Sequence, residues 1–171
     1  MPERNDLVTF KGDPVTLVDD PIAVGQAAPD SELTAIDFSP RRLSDYEGKV
    51  KIVSVVPSLD TSVCDTQTRA FNEKATELSE DVVVLTISMD LPPAQKRWCG
   101  AAGVERVETL SDYKHQQFGR DTGLRIKELG LLARTVMVLD RENQVRYVEL
   151  IGEIATEPDY DAAIAAAKEL V

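Results

Sequence analysis

Val50-Lys51-Ile52-Val53-Ser54-Val55-Val56-Pro57-Ser58-Leu59-Asp60-Thr61-Ser62-Val63-Cys64-Asp65 is the stretch whose reading decides the fold of this chain. Residues 50–56 are β-branched and almost continuously apolar, as in a parallel-type strand covered by helices on both faces, and over 63–78 the pattern turns helical. A loop opened by Pro57 joins the two, so Cys64 falls in the first helical turn at the carboxyl end of a strand, where open α/β sheets hold their ligands. Ser62 with Asp65 three residues later matches a capping box, and the unpaired N–H groups and positive dipole end of such a turn favour negative charge on sulfur. A plainer reading stands beside this one. Cys64, Phe71, Ala75 and Leu78 share one helical stripe, on which a thiol would serve as a small buried hydrophobe.

Outward from this unit, strand and helix keep alternating, the signature of an α/β fold. Residues 82–88 read as strand and 93–102 as a helix with proline in its first turn, followed by a short strand at 107–110 and a short helix at 112–118. The runs 135–139 and 145–151 flank the turn-like 140–143 and read as antiparallel neighbours. Upstream, 7–10 and 14–18 on either side of Lys11-Gly12-Asp13 suggest a β-hairpin, and a loop with Pro21, Gly25 and Pro29 leads to a short strand at 33–38. Thr156-Glu157-Pro158-Asp159 fits a second capping box before a helix whose Tyr160, Ile164, Ala167 and Val171 share a face.

The 171 residues, 43% hydrophobic and 29% charged, suit one ordinary globular domain spanning 1–171, with no repeat or linker to divide it. Nineteen basic against 30 acidic residues leave a net charge of -11, which repels nucleic acid and anionic membranes alike. The opening MPERNDLVTF has no signal-peptide pattern and no run is long enough to span a bilayer, so the cytoplasm is the expected location. Two cysteines in a reducing compartment are reactive or incidental rather than a permanent staple. With His115 as the sole histidine they make a poor zinc site, and without a Cys-x-x-Cys pair they do not make a disulfide reductase; neither metal nor cofactor is expected.

Pro57, Thr61 and Cys64, at their spacing here, resemble the active-site motif of the peroxiredoxins. More narrowly, 56–64 together with Ser88-Met89-Asp90-Leu91-Pro92, Arg97-Trp98-Cys99-Gly100 and Leu131-Leu132-Ala133-Arg134 is similar to their thiol peroxidase subfamily, of the atypical two-cysteine type. The resemblance implies a thioredoxin-like fold, a central mixed sheet flanked by helices, with residues 1–20 as an N-terminal hairpin extension. It also implies hydrogen peroxide and, by preference, organic hydroperoxides as substrates, thioredoxin as reductant, and a homodimer. In that family pattern Cys64 is the peroxidatic thiol, Thr61 and Arg134 polarise the peroxide, Pro57 shields the thiolate, and Cys99 resolves the oxidised sulfur as a disulfide.

Acidity of the sulfur alone does not make such a catalyst. Lowering a thiol pKa from about 8.5 to about 6 raises the thiolate fraction roughly thirtyfold, while the accompanying loss of nucleophilicity takes back roughly tenfold. The remainder must come from donors aimed at the lengthening O–O bond, for which Arg134 is the candidate cation. Cys99 lies late in its helix, where the dipole raises a thiol pKa, so the acidic thiol attacks and the ordinary one resolves. Bridging needs Cβ atoms about 3.5 to 4.5 Å apart, so local unwinding is expected around one or both cysteines. A non-catalytic redox sensor using the same pair remains the alternative.

Overall fold

The computed structural model describes residues 2–103 and 106–171. The N-terminal hairpin, β1 (Glu3–Phe10) and β2 (Asp13–Val18), is longer than the apolar pattern indicates. Its register shifts between Arg4 and Val8, where Asp6 takes a left-handed φ of 62°, and the polar start of β1 still pairs with β2. The strand expected at 33–38 ends early. After β3 (Leu33–Ala35) the chain turns at Phe38, φ 68°, and returns as β4 (Pro40–Arg41).

From there the alternation holds: β5 (Val50–Val55), α1 (Ser62–Ala75), β6 (Val82–Ser88), α2 (Pro92–Ala102) and β7 (Val107–Ser111), then α3 (Gln117–Thr122), β8 (Arg125–Ile126), β9 (Thr135–Leu139), β10 (Val145–Leu150) and α4 (Tyr160–Lys168). The main sheet runs β10-β9-β5-β6-β7-β3-β4, with β5 parallel to β6 and antiparallel to β9, while β8 joins the hairpin in a smaller sheet. This is a mixed sheet flanked by helices, with an N-terminal hairpin, as the sequence predicts.

The continuous apolar run of β5 is explained by its two buried faces. Ile52 packs with Phe71, Val84, Val138 and Ile164 beneath α1 and α4. Val53 and Val55 face the opposite way, into a cluster with Leu85, Ile87, Leu110, Phe118 and Met137. Helix α1 is shorter than the expected 63–78, ending at Ala75 with Thr76 as its cap.

Two helix starts differ from expectation. The helix anticipated at 112–118 begins instead at Gln117, because Gln116 adopts φ 53° and Asp112 acts from outside the helix, its carboxylate accepting from the N–H groups of Phe118 and Gly119 at 3.1 and 2.9 Å. A Cβ at residue 119 would lie 2.9 Å from Leu132 Cδ2, so any larger residue there would force the buried Leu132 side chain to shift. At α4 the cap is Asp159 rather than Thr156: its side chain accepts from Ala162 N at 3.0 Å, and its own N–H donates to Glu149 Oε1 at 2.9 Å, which fixes the start of the helix against β10. Of the face read for α4, Ala167 and Ile164 are buried while Val171 is 51% exposed.

Burial pushes the Asp112 carboxyl up to about 6 despite its two N–H donors. A carboxyl that binds its proton more tightly folded than unfolded adds stability in acid, and that contribution is lost as pH rises through about 6. Relative to Asp112→Asn, the wild-type protein is therefore expected to gain roughly 1 kcal/mol of unfolding free energy between pH 7 and pH 5, measurable by urea denaturation at both values.

Candidate active site

Pairing of Val55 with Thr135 brings residue 134 alongside the end of β5, next to the loop that leads into α1. Arg134 is 1% exposed and all three of its nitrogens are engaged. Nε donates to the Ile154 carbonyl at 2.7 Å, Nη1 to Gln67 Oε1 at 2.9 Å and Nη2 to Cys64 Sγ at 3.2 Å. Gln67 is anchored in turn through Nε2 to Ser54 Oγ at 2.7 Å, so the sulfur, the guanidinium and the sheet are joined by one buried chain of hydrogen bonds. The fully buried Cys64 does lie on the apolar stripe of α1, yet an arginine donates to its sulfur, which no inert hydrophobe requires.

The start of α1 is built differently from the expected capping box. Thr61 is the N-cap, and its hydroxyl donates to the Ser58 carbonyl at 3.0 Å instead of capping the helix. Asp65 does not cap the helix; its carboxylate accepts from Trp98 Nε1 at 2.7 Å and from the charged Arg69 Nε at 2.8 Å. The loop is held from below by Asp90, whose carboxylate accepts from Ser58 Oγ, Leu59 N and Ser88 Oγ, each at 2.7 Å.

Pro57, Thr61, Val63 and Arg134 line a pocket of about 270 Å³, walled further by Phe10, Leu131 and Ile154. Cys64 does not itself line it; its sulfur is reached through Arg134. The tip of the hairpin forms one wall and is clamped by Glu153, which accepts from Gly12 N at 2.8 Å, Lys11 N at 3.2 Å and Thr9 Oγ1 at 3.0 Å. Led by the Ala155 N–H at 2.8 Å and followed by that of Gly12, these bonds hold the Glu153 carboxyl down at about 2. A larger open depression, about 460 Å³, lies at the opposite end of the strands around Lys49, Glu80 and Arg106 and holds neither cysteine.

Of the five site residues predicted from sequence, Pro57, Thr61, Cys64 and Arg134 gather here and Cys99 does not. Cys99 sits half-buried on α2 with Sγ 3.5 Å from Thr109 Oγ1, and burial pushes its thiol pKa up. Both cysteines are free thiols. His115 lies apart, with Nε2 2.7 Å from Glu32 Oε2 at the surface. Sequence reasoning missed Gln67, Ser54, Asp90 and Glu153. Gln67 could have been found, being a polar residue one turn after Cys64 on the buried face of α1.

Fold and site define a thioredoxin-like redox protein centred on a cysteine at a helix N-terminus. The redoxin family model matches residues 23–164. The chain is 55% identical over 157 residues to the thiol peroxidase of Oceanobacillus iheyensis, covering 92% of this chain and 95% of that one. To the thiol peroxidase of Bacillus subtilis it is 53% identical over 164 residues, 96% and 98% of the two chains. The crystal structure of a peroxiredoxin-like protein from Aquifex aeolicus superposes with a TM-score of 0.91 at 38% identity, covering 97% of this chain and 98% of the other. A thiol peroxidase from Chromobacterium violaceum, 18% identical, shares the fold at a TM-score of 0.86 over 95% of each chain. The chain belongs to the redoxin family, and within it to the thiol peroxidases of the peroxiredoxins.

Gln67→Leu strips Arg134 Nη1 of its acceptor inside the protein, which costs roughly 1–3 kcal/mol. The variant is expected to unfold at correspondingly lower urea and to show altered alkylation of Cys64 by iodoacetamide, because the guanidinium loses its fixed position. Unchanged values of both would show that the Gln67 contact positions nothing.

Proposed function

We propose that this protein reduces hydroperoxides at Cys64, with Cys99 as the resolving thiol. The observation that carries the reading is the Arg134 Nη2 donor 3.2 Å from Cys64 Sγ, at the base of a pocket formed where β5 meets α1. The Cys64 thiolate attacks the terminal oxygen of ROOH; the O–O bond breaks, sulfur keeps one oxygen as sulfenic acid, and the alkoxide leaves as ROH after taking up a proton. Arg134 and the N–H groups of the first turn of α1 stabilise the negative charge that grows on the leaving oxygen, and the bonds to Ile154 and Gln67 hold the guanidinium so that it need not reorganise during the reaction. Thr61 orients the peroxide from the rim and Pro57 excludes water. Because Cys64 is fully buried, the peroxide enters past Thr61 and Val63 by a small opening of that turn.

The Cys99 thiol then condenses with the sulfenic acid, releasing water and leaving a Cys64–Cys99 disulfide, which a thioredoxin dithiol reduces by exchange. Burial holds Cys99 in its thiol form at neutral pH, which suits a group that waits for its partner to be oxidised. The largely apolar wall of Phe10, Val63, Leu131 and Ile154 favours an alkyl hydroperoxide beside hydrogen peroxide. Among the described residues no helix is long and apolar enough to cross a membrane. A cytoplasmic homodimer of one domain, with the hairpin of residues 1–20 as an extension, completes the reading and rests on kinship.

One equivalent of peroxide added to the reduced protein should remove two hydrogens and yield a Cys64–Cys99 linked peptide by mass mapping. Cys64→Ser should be inert, and Cys99→Ser should stop at the sulfenic acid or beyond. Arg134→Lys, which cannot donate to Gln67, Ile154 and sulfur at once, should lower the second-order rate with peroxide by at least tenfold. With thioredoxin, its reductase and NADPH, many equivalents of peroxide should be consumed; a single equivalent would mark a sensor instead.

A further inference from the structure

The residue after one cysteine is bonded to the residue before the other. Asp65 Oδ1 accepts from Trp98 Nε1 at 2.7 Å, joining the first turn of α1 to the middle of α2. The bond is reinforced twice. Asp65 Oδ2 takes Arg69 Nε at 2.8 Å, while the Arg69 guanidinium stands 5.6 Å from the centre of the Trp98 ring and donates through Nη1 to the Ala102 carbonyl at 3.3 Å. The indole packs on the small cluster of Val56, Leu59 and Cys64. Meanwhile the two sulfurs are held by different neighbours, Cys64 by Arg134 and Cys99 by Thr109.

We propose that Asp65 and Trp98 form a latch that must open before Cys64 and Cys99 can bond, and that its opening sets the rate of the resolving step. The inference rests on the assignment of Cys99 as the resolving thiol. Any movement that carries Cys99 out of α2 towards Cys64 takes its neighbour Trp98 with it, and any unwinding that carries Cys64 outward takes Asp65. Neither movement preserves the 2.7 Å bond. While the latch is shut, Cys64 keeps its contact with Arg134 and the site stays competent for peroxide, so Asp65 and Trp98 are positioning residues that govern resolution and not attack. A second peroxide competes for the sulfenic acid during the wait, and the latch thereby sets the peroxide concentration at which Cys64 is overoxidised.

A charge-assisted hydrogen bond corresponds to roughly tenfold to a hundredfold in an equilibrium, reduced here because Asp65 is part-exposed. Trp98→Phe keeps the ring and removes the N–H, and Asp65→Ala removes the acceptor. In single-turnover reactions with hydrogen peroxide, quenched by an alkylating agent and read by mass, both are expected to form the Cys64–Cys99 disulfide roughly five- to fiftyfold faster than wild type. The rate of sulfenic acid formation should stay within about twofold, and the peroxide concentration for half overoxidation should rise by the same factor as the disulfide rate. Trp98 is the one tryptophan of the chain, so wild-type fluorescence gives a readout free of substitution: its change should follow disulfide formation and be missing in Cys99→Ser. Disulfide formation unchanged or slowed in both variants, or a fluorescence change that accompanies the sulfenic acid, overturns the latch. If wild type forms no Cys64–Cys99 disulfide at all, the assignment of Cys99 fails instead.

Discussion

A guanidinium with almost no exposed surface needs an acceptor within the protein at each of its three nitrogens, and the structure around Cys64 is organised by that demand. Arg134 meets it with a backbone carbonyl, an amide oxygen and a sulfur. Removing any of these leaves a buried charged group short of a partner, which gives the buried Gln67, and Ser54 behind it, a place in the site. The planar fork of arginine lets one side chain bond three groups at once: the Ile154 carbonyl in its loop, and the Gln67 amide and the reactive sulfur on α1.

Sheet register delivers the arginine to this point. Strand β9 runs antiparallel to β5, with Thr135 opposite Val55, so the residue before β9 meets the residues after β5. A slip of one residue would turn Val136 and Val138 out of the cluster under α1 and α4 and send Arg134 with them. The same hydrophobic pattern that makes the core two-sided therefore also aligns the cation with the cysteine.

The pocket has a more distant support. Glu153 ties the tip of the N-terminal hairpin to the segment whose Ile154 carbonyl receives Arg134 Nε, and its carboxyl, held down at about 2, stays ionised throughout the neutral range. The hairpin is thus a wall of the site and not an appendage. Asp90 plays the matching part on the other side, fixing Ser58 and Leu59 so that Pro57 and Thr61 face the pocket.

The sequence by itself determined the strand-loop-helix unit around Cys64, because two-sided burial writes a continuous apolar run and a helix start places a thiol among free N–H groups. It also determined most elements of the mixed sheet, and through resemblance the residues that gather at the sulfur. It misread local choices in which a distant group outcompeted a nearby one. Asp65 has the spacing of a cap but bonds Trp98, Asp112 caps a helix that starts five residues later, and Asp159 is fixed by Glu149. Only the tertiary structure decided that Gln67 anchors Arg134 and that the two cysteines sit with different neighbours. Such contacts depend on three-dimensional proximity between segments far apart in the chain, and neither periodicity nor spacing carries that information.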